Sequence, residues 1–193
     1  MESQQRVDEI LEFWFGAGDD AGGGRRVWFV PDPAFDKACT TGFLADHELA
    51  DAGGLDDWRN EPRSALALIL LFDQFPRNMF RGTARAFATD HRALALAKHA
   101  VAGQFDLALR EIERAFVYLP FQHSEELDVQ RESVRLHRQL AAQNPAMTGY
   151  LEYAERHLEV IRRFGRFPHR NAILGRSSTP EEAKFITGDA AST

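Results

Sequence analysis

Two stretches of this chain place an arginine and an asparagine behind a Phe-Pro pair. One reads DQFPRNMFRG, Asp73 to Gly82, and the other RRFGRFPHRN, Arg162 to Asn171, with His169 as one extra residue. Guanidinium groups present planar donor forks that match phosphate and carboxylate oxygens. Arg77 and Arg81 in the first stretch, and Arg166 and Arg170 in the second, are therefore candidate anion ligands. Gln74, Asn78 and Asn171 are the neutral groups that would orient the bound molecule. A competing reading is a loop lock, in which the arginines bind helix-end carbonyls, Asp73 and acidic helices elsewhere. Both readings stay open from the residues alone.

A third stretch, YLPFQHSEELDVQ from Tyr118 to Gln130, brings His123, Ser124 and Glu125 together. Histidine changes charge near neutral pH and suits proton transfer. His123 or His169 is the candidate general acid or base, with Glu125 or Asp73 to orient it, and Ser124 is a candidate ligand contact. The structural alternative makes Ser124 a helix N-cap with acids in the first turn after it. His137 and His157 lie on apolar helix stripes and read as hydrogen-bonded core residues. No spacing of His, Cys and Glu suggests a metal site, and no motif calls for a cofactor. The glycines at 16, 18, 22, 23 and 24 are not followed by Gly-Lys-Ser/Thr, which argues against a phosphate loop.

The charge distribution sharpens the anion reading. The net charge is -6, yet residues 74–89 and 162–176 contain no acid. Residues 1–72 hold 6 Lys/Arg against 14 Asp/Glu. Overall acidity argues against wholesale binding to nucleic acid or to anionic membrane. The longest apolar run, Ala65 to Phe72, is too short to span a bilayer. One cysteine, Cys39, excludes an intrachain disulfide. With no apolar segment at its start, the chain is expected to be soluble and cytoplasmic.

The elements that must position these residues are helices. Val7, Ile10, Leu11, Trp14 and Phe15 form one amphipathic stripe, and Phe35, Ala38, Cys39, Phe43 and Leu44 a second. Arg63 to Phe72 is apolar nearly all round, which predicts a buried central helix ending near Phe72 to Phe75, stopped by Pro76. Helices follow over 91–102, 106–118, 124–142, 146–164 and from Pro180 to about Ile186. Asp32-Pro33, Asn144-Pro145 and Thr179-Pro180 mark helix starts, the last with a capping box through Glu182. No stretch alternates with a period of two. The expected fold is all-α, an array of about seven to eight helices built from hairpins. It is read as one domain over 1–188, with a mobile Gly/Asp-rich loop at about 16–24 and a short tail at 189–193. Residues 91–120 contain Gly103-x-Phe105-x-x-Ala108, then Ala115 and Pro120, the wording of one tetratricopeptide hairpin.

LEFWFG, VWFVPDPAFD, LALILLFDQFPRNMFRGTARAFATD, YLPFQHSEELDVQ and RFGRFPHRNAILGRSSTPEE together resemble the bacterial domain-of-unknown-function 924 family. The resemblance runs from about Ile10 to about Phe185. It implies an all-α fold of tetratricopeptide-like type and no established activity. The family's motifs coincide with the three stretches above, on Asp73, Gln74, Arg77, Asn78, Arg81, His123, Ser124, Glu125, Arg166, His169, Arg170 and Asn171. Three functions fit these residues. A small anionic ligand held by the arginine loops is the leading one. A hydrolase or transferase using the same site is the second, and a protein-binding helical scaffold the third.

Overall fold

The computed structural model describes residues 2–16 and 25–188. Most of the Gly/Asp-rich loop and the tail therefore lie outside the described residues. Within them the chain forms eight α-helices and no strand. These are α1 (Glu2–Phe15), α2 (Pro33–Asp51), α3 (Pro62–Met79), α4 (Asp90–Ala102), α5 (Glu111–Gln122), α6 (Leu127–Gln143), α7 (Thr148–Phe164) and α8 (Pro180–Thr187).

The helix starts follow from local chemistry. Asp32 accepts hydrogen bonds from the amides of Ala34 and Phe35 at 2.9 and 3.0 Å, capping α2 ahead of Pro33. Thr179 and Glu182 close the expected capping box on α8. Asn144 caps a short 3-10 turn, Pro145–Met147, that leads into α7. The largest displacement of an expected start is at α5. The segment 106–118 divides into a 3-10 turn at Phe105–Ala108 and then α5, which begins at Glu111. Glu113 accepts from the Arg110 amide at 3.0 Å and from the Arg110 guanidinium at 2.7 Å, which satisfies one orphan donor at that later start.

Helix α3 is the axis of the molecule. It packs against α1, α2, α4 and α5, and every residue from Ala65 to Pro76 is buried. The all-round apolar run thus has the central position that its composition demands. Trp14, Phe75 and Phe116 are fully buried against one another, with Trp14 5.3 Å from Phe75 and 5.8 Å from Phe116 between ring centroids. Burying side chains of this kind contributes about 1.5–3 kcal/mol each before conformational entropy is counted. The hairpins α2–α3 and α6–α7 flank this core. A smaller cluster, Val160, Ile161 and Phe167, holds the segment after α7.

The expected stop at Pro76 does not occur: α3 continues to Met79 with Pro76 inside it. Proline lacks the N–H that would bond to the carbonyl of Phe72. The Thr89 hydroxyl supplies that bond instead, donating to the Phe72 carbonyl at 2.6 Å. With the orphan acceptor satisfied from another segment, the helix runs on for one more turn. That extra turn sets the geometry of the site.

Candidate functional site

Because α3 continues, Asp73 and Arg77 are helical neighbours four residues apart, as are Gln74 and Asn78. Arg81 follows just beyond the helix. Arg77 donates to the backbone carbonyl of Asp73 at 2.6 Å and grips Asp90 of α4 with both terminal nitrogens, at 2.9 and 3.0 Å. The Asp73 carboxylate lies 3.0 Å from Arg77 and is completely buried. Asn78 donates to the Gln74 carbonyl. Arg81 forms a bidentate pair with Asp36 of α2, at 2.7 and 2.8 Å. The acidic N-terminal third therefore supplies one partner for the first arginine stretch.

The second stretch is built differently. Gly165 takes the left-handed conformation, φ 68°, and ends α7. A 3-10 turn, Pro168–Arg170, follows. Arg166 turns away to α8 and binds Glu182 bidentately, at 2.6 and 2.8 Å. Asn171 bonds to Ser178 and accepts from Arg176. Glu125 accepts from Arg176 and from the amide of Phe167. These contacts make Glu125, Arg166 and Asn171 clamps that shape the loop. Arg170 is left between the rings of Phe87 and Phe167, at 4.7 and 4.5 Å. Its nearest carboxylate among the described residues is Asp90, at 3.4 Å.

The stretches meet around one cleft of about 670 Å³, a size that suits a small molecule. Gln74, Arg77, Asn78 and Arg81 line it from α3 and the turn beyond. His123 lines it from the end of α5, and His169 and Arg170 from the second loop. Ser124, Glu125, Arg166 and Asn171 are not among its lining residues. Ser124 accepts from the amide of Glu126, and α6 starts two residues later than a Ser124 cap would set it. Tyr150, Tyr153 and Phe87 line the cleft without any local signal for it, and His157, a buried and hydrogen-bonded residue as expected, also reaches it. Asp90 is the other omission. It is the first acid after the acid-free run 74–89. It receives both Arg77 and Arg170.

The histidines differ in how they are held. His123 Nδ1 lies 2.7 Å from the buried Asp73 carboxylate. An ionised carboxylate only accepts, so Nδ1 carries the proton and Nε2 is the basic nitrogen. Burial would raise the Asp73 pKa, but Arg77, then His123 and Gln74, overcome it and hold the group below the usual carboxylate range. Burial, with Arg77 beside it, lowers the pKa of His123 against the pull of Asp73. His169 is pushed down to about 4 by burial and then by Arg170. His157 donates Nδ1–H to the Tyr153 carbonyl at 2.8 Å, and burial brings it down to about 3. All three rings are neutral at pH 7.

The arginines divide in the same way. Carboxylate partners raise Arg77, Arg81 and Arg166 above the ordinary value. Arg170 moves the other way, down to about 10, through burial and then through repulsion from Arg77. Its Nε has no hydrogen-bond partner among the described residues, and neither do Tyr150 Oη and Gln122 Oε1 on the same cleft. A buried polar atom left unpaired costs about 1–3 kcal/mol. The same cleft therefore concentrates polar atoms in need of a partner. Among the described residues, no group of three or more His, Cys, Asp or Glu side chains is arranged to hold a metal ion. No helix among them is long and apolar enough to cross a membrane.

A solved structure of a protein of unknown function from Agrobacterium tumefaciens is similar to this chain throughout. The two are 41% identical, superpose with a TM-score of 0.85, and the match covers 96% of this chain and 98% of that one. No curated protein matches. The model of a family described as bacterial protein of unknown function, DUF924, matches residues 10–189, which include all three stretches and every helix except the start of α1. The chain belongs to that DUF924 family.

Proposed function

We propose that the cleft binds a small molecule carrying a phosphate or carboxylate group, and that Arg170 holds its charge. The observation that carries this reading is the imbalance among four arginines. Arg77, Arg81 and Arg166 each have a close carboxylate, whereas Arg170 shares Asp90 with Arg77 at 3.4 Å. A guanidinium this buried keeps a strong field that an incoming anion would satisfy. Arg77 and Asn78 then act as neighbours that shape the pocket, and Gln74 supplies a neutral contact.

A second reading makes the same cleft catalytic, with His123 as general base and Asp73 as the group that orients it. The 2.7 Å contact between the two favours it, because a buried carboxylate fixing one ring nitrogen prepares the other for proton transfer.

One experiment addresses both. Thermal unfolding is followed against phosphate, sulfate and a panel of phosphorylated and carboxylated metabolites. A ligand at about 100 times its dissociation constant adds about 2.7 kcal/mol, a rise of about 5–10 °C for a chain of this size. The rise is expected to vanish in Arg170→Ala and to persist in Arg81→Ala. A panel that leaves the unfolding temperature unchanged would overturn the binding reading. Compounds that do stabilise are then assayed for turnover, with His123→Ala as the control. Turnover that survives His123→Ala, or no turnover of any bound compound, removes the second reading.

A further inference from the structure

Arg170 lines the same cleft as four aromatic side chains from other segments. Trp28 and Phe29 lie on the segment before α2, and Tyr150 and Tyr153 lie on the first turns of α7. Phe29 meets Tyr153 nearly parallel, with centroids 6.5 Å apart, and meets Tyr150 edge-on at 6.0 Å. Arg156 covers the ring of Tyr153 at 4.3 Å. Phe29 is the most exposed of these rings, at 56%. A single exposed aromatic is ordinary on a protein surface. This one lines a concave site beside two buried polar atoms without partners, Tyr150 Oη and Gln122 Oε1. Apolar walls with a few convergent polar groups are what a small-molecule site presents.

We infer that the anion bound in this cleft carries a planar aromatic ring, which stacks on Phe29 while its charged group reaches Arg170. The inference deepens the anion-binding reading and rests on it. An inorganic anion uses only the Arg170 side of the cleft and leaves Phe29 uncovered. A flat ring covers Phe29 and keeps the neighbouring arginine field, which favours π systems over saturated rings of equal size.

The test measures binding of matched probes by calorimetry, in two arms. One arm compares methyl, cyclohexyl and phenyl phosphate, and the other compares acetate, cyclohexanecarboxylate and benzoate. In the arm whose anion suits the site, the phenyl probe is expected to bind at least about tenfold tighter than the methyl probe or acetate. It is expected to bind tighter than the cyclohexyl probe as well. Phe29→Ala should abolish that preference and leave the smallest probe unchanged, and Phe29→Tyr should keep it. Circular dichroism checks that each variant is folded, which the exposure of Phe29 favours. Equal binding of phenyl and methyl probes, or of phenyl and cyclohexyl probes, overturns the ring assignment while the anion reading stands. Failure of every probe in both arms overturns the anion reading and this inference with it.

Discussion

The stretches Asp73–Gly82 and Arg162–Asn171 share their wording and not their construction. The first stays helical because a hydroxyl from Thr89 replaces the donor that Pro76 lacks. The second is broken by Gly165 and turns through a 3-10 segment. In the first, both arginines end on carboxylates, Arg77 on Asp73 and Asp90 and Arg81 on Asp36. In the second, Arg166 is saturated by Glu182 while Arg170 lies between two rings and shares Asp90 with Arg77 at 3.4 Å. An arginine beside a Phe-Pro pair is thus either fully paired or left short of a partner, and the supply of acids from other helices decides which. The first stretch answers mainly to the lock reading. The second contains one residue that the lock leaves unsatisfied.

The comparison breaks most severely at Asp73. Its carboxylate is fully buried and serves Arg77, His123 and Gln74 together. Asp73→Ala leaves Arg77 and His123 without their shared partner, and a loss of about 3–5 kcal/mol is expected in urea denaturation. A loss below about 1 kcal/mol would show that the first stretch does not depend on its internal pairing.

Acid separates the two regions next. The second contains His169, and His157 of α7 packs on its Phe167; the folded-state values of these histidines, about 4 and about 3, lie below the ordinary 6.5. As the pH falls below about 6.5, the unfolded chain takes up these protons first. Their contribution is complete above that pH and declines towards pH 4, by at most about 1.4 kcal/mol per pH unit for each group. The Asp73 carboxylate, held below its usual range, keeps its contribution until lower pH. Hydrogen exchange at pH 5, corrected for intrinsic rates, should show protection around residues 164–171 weakening before that of α3. Simultaneous loss in both regions would contradict the distinction.

The smallest effect is expected at Arg81. Its pair with Asp36 is well formed but partly exposed, so solvent screening reduces its value. Arg81→Ala should lower stability by less than about 1 kcal/mol, and 1 M salt should remove most of the difference. A larger and salt-insensitive loss would place Arg81 with Asp73 as a core element.

Much of the architecture was legible in the residues. The apolar run 65–72 required a central helix, and Asp32, Thr179 and Gly165 marked helix ends through their own side-chain or backbone chemistry. The candidate site was legible only in part. Gln74, Arg77, Asn78, Arg81, His123, His169 and Arg170 line one cleft, whereas Ser124, Glu125, Arg166 and Asn171 do not. Glu125 stands two residues from His123, yet it bonds to Arg176, while the carboxylate on His123 comes from 50 residues away in Asp73. Local sequence determined helix periodicity, caps and the clustering of positive charge, because those depend on neighbours a few residues apart. Tertiary structure alone decided which acid reaches which arginine, which histidine is oriented, and that Phe29 and Tyr153 line one cleft with Arg170. Each of those outcomes depends on groups distant in sequence arriving within a few ångströms, and burial then fixes their charge.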